Sequence, residues 1–348
     1  MRSLNVNTRP LLDAIDRYIA KADEDLEETL ADEGYPAADV AVKLASDLEE
    51  AVDDALDEDV EKLLKHIRDA IEVEDFISNI WPGIKEEKDL EDALYKIFHE
   101  KFDDMLKKFT YEWTLAQNPV IAGIDEEITK PAEAFVKGWS AELARLMNLS
   151  TKDTIERLLL KAHEKAWSID DLTDAIGNSG LREHGYRSRR VALTEMLRME
   201  SYAQQEEMVQ DPLAYKKKWR HVMSANPREN HMAMDGQTVY KRECFTLVGA
   251  DGSTYYVICP RDTCLPASES VNCHCLVDVI SDANAKGMTE DEMKERRRQY
   301  MNEINAEYEA WEQKFKEDYG IDEPRDDPSV TWEIYNSYYE AYRRGEIA

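Results

Sequence analysis

Residues Trp219–Val239 read WRHVMSANPRENHMAMDGQTV, and Val271–Ile280 read VNCHCLVDVI. All five cysteines of the chain fall between Cys244 and Cys275, in or between these stretches. Asp235-Gly236 and Asp251-Gly252 are turn dipeptides of the hairpin kind. The second separates CFTLV from TYYVIC, two segments that alternate as a strand pair does. Lys218–Ser224 and Cys275–Ile280 read as further strands. The expectation is a small, mainly β, cysteine-rich module over residues 219–282.

The flanks carry the helical period instead. Val42, Leu44, Leu48, Val52 and Leu56 recur at helical spacing, as do Leu63, Leu64, Ile67 and Ile71, and Leu11 to Ile19 before them. Gly34-Tyr35-Pro36, Trp81-Pro82-Gly83, Asn118-Pro119 and Lys130-Pro131 mark the corners. An acidic helical domain over 1–165 is expected, followed by a helical connection over 166–218. In that connection Ser168 and Asp171 form a capping signal, and a long helix runs from after Gly185 to before Pro212. Thr289 and Glu292 form a second capping box, which opens the C-terminal helices of 283–348. The fold class is α+β: a predominantly helical N-terminal region, the β module, then C-terminal helices.

The 348 residues carry a formal net charge of -30, and 34% of them are charged. Over the first hundred residues acidic side chains outnumber basic ones by more than two to one. A general nucleic-acid binder needs clustered Lys and Arg to release counterions, so this balance argues against one. The stretch from Arg182 to Arg228 is locally basic, with Arg187, Arg189, Arg190 and Lys216 to Lys218. No run approaches the ~20 apolar residues of a membrane helix. The opening MRSLNVNTRP has no apolar core for a signal peptide. In a reducing cytosol, five close cysteines favour a metal or free thiols over disulfides, and an odd count leaves one thiol over.

Zinc takes four soft or borderline ligands in a tetrahedron. Cys259 and Cys264, four residues apart inside, and Cys273 and Cys275, one residue apart, are candidate pairs. His231 or Cys244 is the candidate replacement for one of them. The competing reading is buried, reduced thiols that pack as small apolar groups. Arg228 and His231, close to Asp235, read either as an acid–base cluster or as a tie between a turn and the cysteine loop. The second is favoured, because no nucleophile, phosphate loop or paired carboxylates accompany them. Thr194-Glu195 reads as a buried polar contact on a helix, with a metal-binding carboxylate as the alternative. Trp332, Tyr335, Tyr339 and Tyr342 form an aromatic stripe at helical spacing: a packed helix face, or a surface that docks a partner.

The order Trp219, Arg228-x-x-His231, Asp235-Gly236, Phe245, Pro260 and Asn272-Cys273-His274-Cys275 resembles the phage Mu protein F-like family. These are the minor head, or head-morphogenesis, proteins of tailed bacteriophages. The upstream helix with Arg190, Thr194 and Glu195 resembles that family's Arg-Thr-Glu helix. The likeness covers about Trp167 to Ile280. It departs at His274, where arginine is common, and at Cys244, Cys259 and Cys264, which are additions. The resemblance implies a structural virion component in few copies, made in the host cytoplasm and associated with the portal protein and other head proteins. Also implied are assembly around the portal and indirect contact with packaged DNA during packaging or ejection. The alternative is a metal-dependent hydrolase or nuclease carried in the particle. It needs an open zinc position and a general base such as Glu229, Glu243 or Glu269.

Overall fold

The computed structural model describes residues 23–122, 127–179, 186–222, 227–271, 273–285, 287–321 and 330–346. Its first two helices, α1 (Asp23–Glu33) and α2 (Ala38–Asp69), are separated where the sequence places a break. Gly34 takes φ +101° there, a left-handed conformation that costs glycine little. The periodic positions Leu11 to Ile19 lie outside the described residues.

At Trp81-Pro82-Gly83 the expected break does not occur. A π-helical turn, Phe76–Ile80, runs directly into a helix at Trp81–Glu86. Pro82 sits just past the junction, in the first turn of the Trp81–Glu86 helix. Then follow α3 (Asp89–Gln117), α4 (Lys130–Lys165), α5 (Ile169–Gly177) and α6 (Tyr186–Gln210). Asn118-Pro119 follows the end of α3, and Pro131 falls in the first turn of α4. The Ser168 hydroxyl accepts from the Asp171 N–H at 3.1 Å, and the Asp171 carboxylate accepts from the Ser168 N–H at 3.0 Å.

The chain divides into two compact units, each discontinuous in sequence. One comprises Leu44–Phe102 and Val136–Leu193. Its core gathers Leu64, Ile67, Phe76 and Trp81 with Leu159, Leu172 and Ile176. The other comprises Met1–Lys43, Asp103–Phe135 and Thr194–Ala348, and it carries every candidate site residue.

In this second unit, β1 (Ala214–Arg220) is the middle strand of three, flanked by β2 (Thr238–Tyr240) and β5 (Leu276–Ser281), all antiparallel. Between β1 and β2 lies α7 (Glu229–Met234), and between β2 and β5 lie the hairpin β3 (Phe245–Val248) and β4 (Thr254–Val257) and then α8 (Ala267–Ser270). Gly252 turns the hairpin with φ +84°. The sequence reading put the first strand at Lys218–Ser224, but it begins four residues earlier, at Ala214. Within its lysine run, Lys217 is fully buried. The Lys217 Nζ donates to Gln205 Oε1 at 2.8 Å and to the Ile258 carbonyl at 2.6 Å, and burial pushes its pKa down to about 7. Trp219, Phe245, Leu247 and Val257 form the module's core with Cys273 and Cys275. Burying Trp219 alone removes roughly 200 Å² from water, at most about 5 kcal/mol of transfer free energy.

The chain closes with α9 (Glu290–Tyr319), started by the Thr289 and Glu292 capping box, and α10 (Trp332–Arg343). The aromatic stripe of α10 turns inward. Tyr335 is buried against Trp311 and Phe315, Tyr339 lies 4.6 Å from Trp311 between ring centroids, and Tyr342 packs on the same cluster. The Trp332 indole N–H donates to Thr263 Oγ1 at 3.0 Å. The stripe is a packed helix face, and Tyr335 is not available to a partner. Among the described residues, no helix is long and apolar enough to cross a membrane.

Candidate metal centre

Trp219 anchors the centre of the module. Its ring meets Phe245 edge-on at 5.2 Å and His231 edge-on at 6.4 Å. His231 is presented by α7, a helix too short to hold itself in water, so outside contacts must fix it. Arg228, the residue before that helix, supplies them. Its guanidinium donates to the carbonyls of Ser268 at 2.8 Å and Val271 at 2.6 Å. The start of α7 is thereby tied to the segment that leads into Cys273. At the other end Gly236 turns with φ +82° and donates its N–H to the Trp219 carbonyl, while the Asp235 carboxylate accepts from the His221 N–H at 2.8 Å. Arg228, Asp235 and Gly236 thus act as ties.

The two ring nitrogens of His231 face different partners. Nε2 lies 3.0 Å from Glu269 Oε2. Nδ1 lies 3.5 Å from the Cys273 sulfur and 3.7 Å from the Cys275 sulfur. His231, Cys273 and Cys275 are each 2% exposed. Their ligand atoms lie within 4.8 Å of one another, so this cluster could hold a metal ion. Glu269 also accepts from the Ala250 N–H at 2.8 Å and from Asn230 Nδ2 at 3.0 Å. Burial opposes its charge, but these donors and His231 win and bring its pKa down to about 2. Burial likewise opposes a charged His231, yet the Cys273 sulfur and Glu269 raise its pKa to about 9. The two thiols titrate as a pair. The Cys275 thiol hydrogen-bonds to Cys273 and, with His231 and Arg261, favours a Cys273 thiolate against burial. The same contact and burial push the Cys275 thiol up.

A thiolate–imidazole donor set of this kind suits zinc among the common cations. The Glu269 contact has the form of the carboxylate that orients a metal-bound histidine through its far nitrogen. The Trp219 indole N–H, buried and otherwise without a partner, lies toward the Cys275 sulfur. It is suited to donate to an anionic, metal-bound sulfur.

Glu195 on α6 connects to this loop through arginines. Glu195 is buried and pairs with Arg198 at 2.9 Å, while Thr194 beside it is half-buried. Arg198 donates to the carbonyl of Arg261 at 2.6 Å. Arg261, itself buried with φ +62°, donates to the Cys273 carbonyl, to Ser201 Oγ and to the Tyr35 hydroxyl. Pro260, buried beside it, closes the strand end that delivers Arg261. His274, between the two cysteines, turns away and meets Glu33 at 2.8 Å. Asn272 lies outside the described residues.

The other three cysteines do not join the cluster. The Cys244 thiol donates to Glu340 at 3.0 Å. Cys259 is buried near Lys217 and Asp262, which bear on its charge. Cys264 is exposed, with its sulfur toward the Tyr256 carbonyl. Of the candidate ligands, the structure brings together only Cys273, Cys275 and His231 among the described residues, and Cys259, Cys264 and Cys244 lie elsewhere. Arg261 and its chain of contacts gave no signal in the sequence, because a single arginine between Pro and Asp has no distinguishing pattern.

No family model matches the chain, and no solved structure matches it. The uncharacterized protein YqbB of Bacillus subtilis (strain 168) is 32% identical over 212 residues, covering 59% of this chain and 68% of that one. That similarity, spread over more than two thirds of the relative, makes this chain a member of the YqbB family.

Proposed function

We propose that this chain is a structural minor head protein of a tailed phage, associated with the portal vertex and assisting head assembly. Portal and other head proteins are its partners, several copies gather around the portal, and contact with packaged DNA is indirect. One observation supports this reading above others. The residues that carry the Mu F-like resemblance converge on one cross-tied module: Trp219, His231, Cys273 and Cys275 in its buried centre, with Arg228, Asp235 and Gly236 tying the turns around it. Buried donors with a tightly tied surround suit a staple better than a reaction site, since a reacting group needs access for substrate. In this reading His231, Cys273 and Cys275 bind zinc, which stiffens a β module with a thin core.

The test is quantitative mass spectrometry of purified, DNA-filled particles. A low, reproducible copy number relative to the portal ring is expected. Absence from every assembly stage, including precursor heads, would overturn the proposal.

A further inference from the structure

His231, Cys273 and Cys275 leave a tetrahedral zinc site one ligand short. The strand register points to the fourth. β1 pairs with β5 as Lys217 with Val279, Trp219 with Val277 and Arg220 with Leu276. The paired residues end there, and carrying the same register one step further would set His221 opposite Cys275. Side chains alternate between the two faces of a strand. Lys217 and Trp219 are fully buried on the inner face, so His221, two residues on, shares it. Residues directly opposite on an antiparallel pair have Cβ atoms about 4.5–5.5 Å apart, within reach of a common ion for a histidine and a cysteine.

The backbone at this point is fixed. The His221 N–H is held by the Asp235 carboxylate at 2.8 Å, in the same turn where Gly236 bonds the Trp219 carbonyl. The histidine is half-buried, at the rim of the cluster. The charges of Cys273 and His231 both bear on it, as expected of a neighbour. We infer that His221 is the fourth ligand, closing a site of two cysteines and two histidines by a rotation of its side chain. Asp235 then has a use beyond the turn, because it sets the height of His221 along the strand. A closed site leaves no position for water or substrate, which favours a structural ion over a hydrolytic one.

This inference rests on the zinc reading above, and the experiment separates the two. The full-length protein is loaded with cobalt(II) in place of zinc, and its absorption is recorded for wild type, His221→Cys and Cys264→Ser. Wild type is expected to show a tetrahedral cobalt spectrum with absorption from two thiolates. His221→Cys should keep the tetrahedral bands and raise the thiolate-to-cobalt absorption by about half, as two sulfurs become three. Cys264→Ser should leave the spectrum unchanged. If wild type binds cobalt but His221→Cys adds no thiolate absorption, His221 is not a ligand and the zinc reading stands. If wild type binds neither cobalt nor zinc, both fall.

Discussion

Glu269 receives one nitrogen of His231 at 3.0 Å and thereby aims the other at two cysteine sulfurs. Its remaining partners, Ala250 and Asn230, fix it in turn. The relationship makes Glu269 a positioning residue for a metal ligand, distinct from a general base facing solvent.

Replacing Glu269 by Gln keeps the shape and removes the charge that orients His231. Loss of such an outer partner typically weakens a metal site about 10- to 100-fold. Competition with a chromophoric chelator reads this directly. An unchanged zinc affinity would show that the contact with Glu269 does not support the site.

Arg261 tests the link between α6 and the cysteine loop. Replacement by Met leaves the Cys273 carbonyl, Ser201 and Tyr35 without their donor inside a buried region. Unmade buried hydrogen bonds of this kind cost about 3 kcal/mol in total. Urea unfolding monitored by tryptophan fluorescence should show that loss. A change below about 1 kcal/mol would mean that solvent replaces the guanidinium easily.

Much of this architecture is legible in the sequence. Ser168 and Thr289 start helices because each has an acidic residue three positions on, and both capping boxes form. Asp251-Gly252 turns a hairpin because only glycine fits its φ of +84° cheaply. The site is legible in part. His231, Cys273 and Cys275 stand out as ligand types, but spacing along the chain cannot tell which sulfurs share a pocket. Cys259 follows β4 on the side facing Lys217, whereas Cys273 and Cys275 enter β5 beside His231, and tertiary contacts alone decide between them. The two discontinuous units were equally hidden, because α2, α3, α4 and α6 each contribute residues to both without any break in helical pattern.

Glu200 gives the fold a pH dependence of its own. It is buried, and the Trp113 indole N–H donates to one of its oxygens at 2.8 Å. Burial dominates and raises its pKa to about 8. The folded state thus holds a proton that the unfolded chain releases near pH 4.3. Its contribution is fully present below that unfolded value and is lost as pH rises through about 8. Glu200→Gln, which stays neutral, should flatten the fall in stability between pH 5 and 8 by on the order of a few kcal/mol. Urea midpoints across that range check this. An identical pH profile in the variant would contradict it.

Tyr335→Ala tests whether α10 is held by its aromatic face. Tyr335 is buried against Trp311 and Phe315, so truncation should cost about 3–5 kcal/mol and release the helix. Hydrogen exchange should accelerate across Trp332–Arg343 first. Unchanged protection there would show that other contacts hold α10.

Hydrogen exchange of the full-length protein with and without a strong chelator tests the central claim most directly, provided bound zinc is measured in the same samples. Zinc is expected at one ion per chain, and its removal should loosen residues 219–280 while the helices of the Leu44–Phe102 and Val136–Leu193 unit stay protected. A protein that carries no zinc, or a module whose protection is the same after zinc is stripped, would contradict the account.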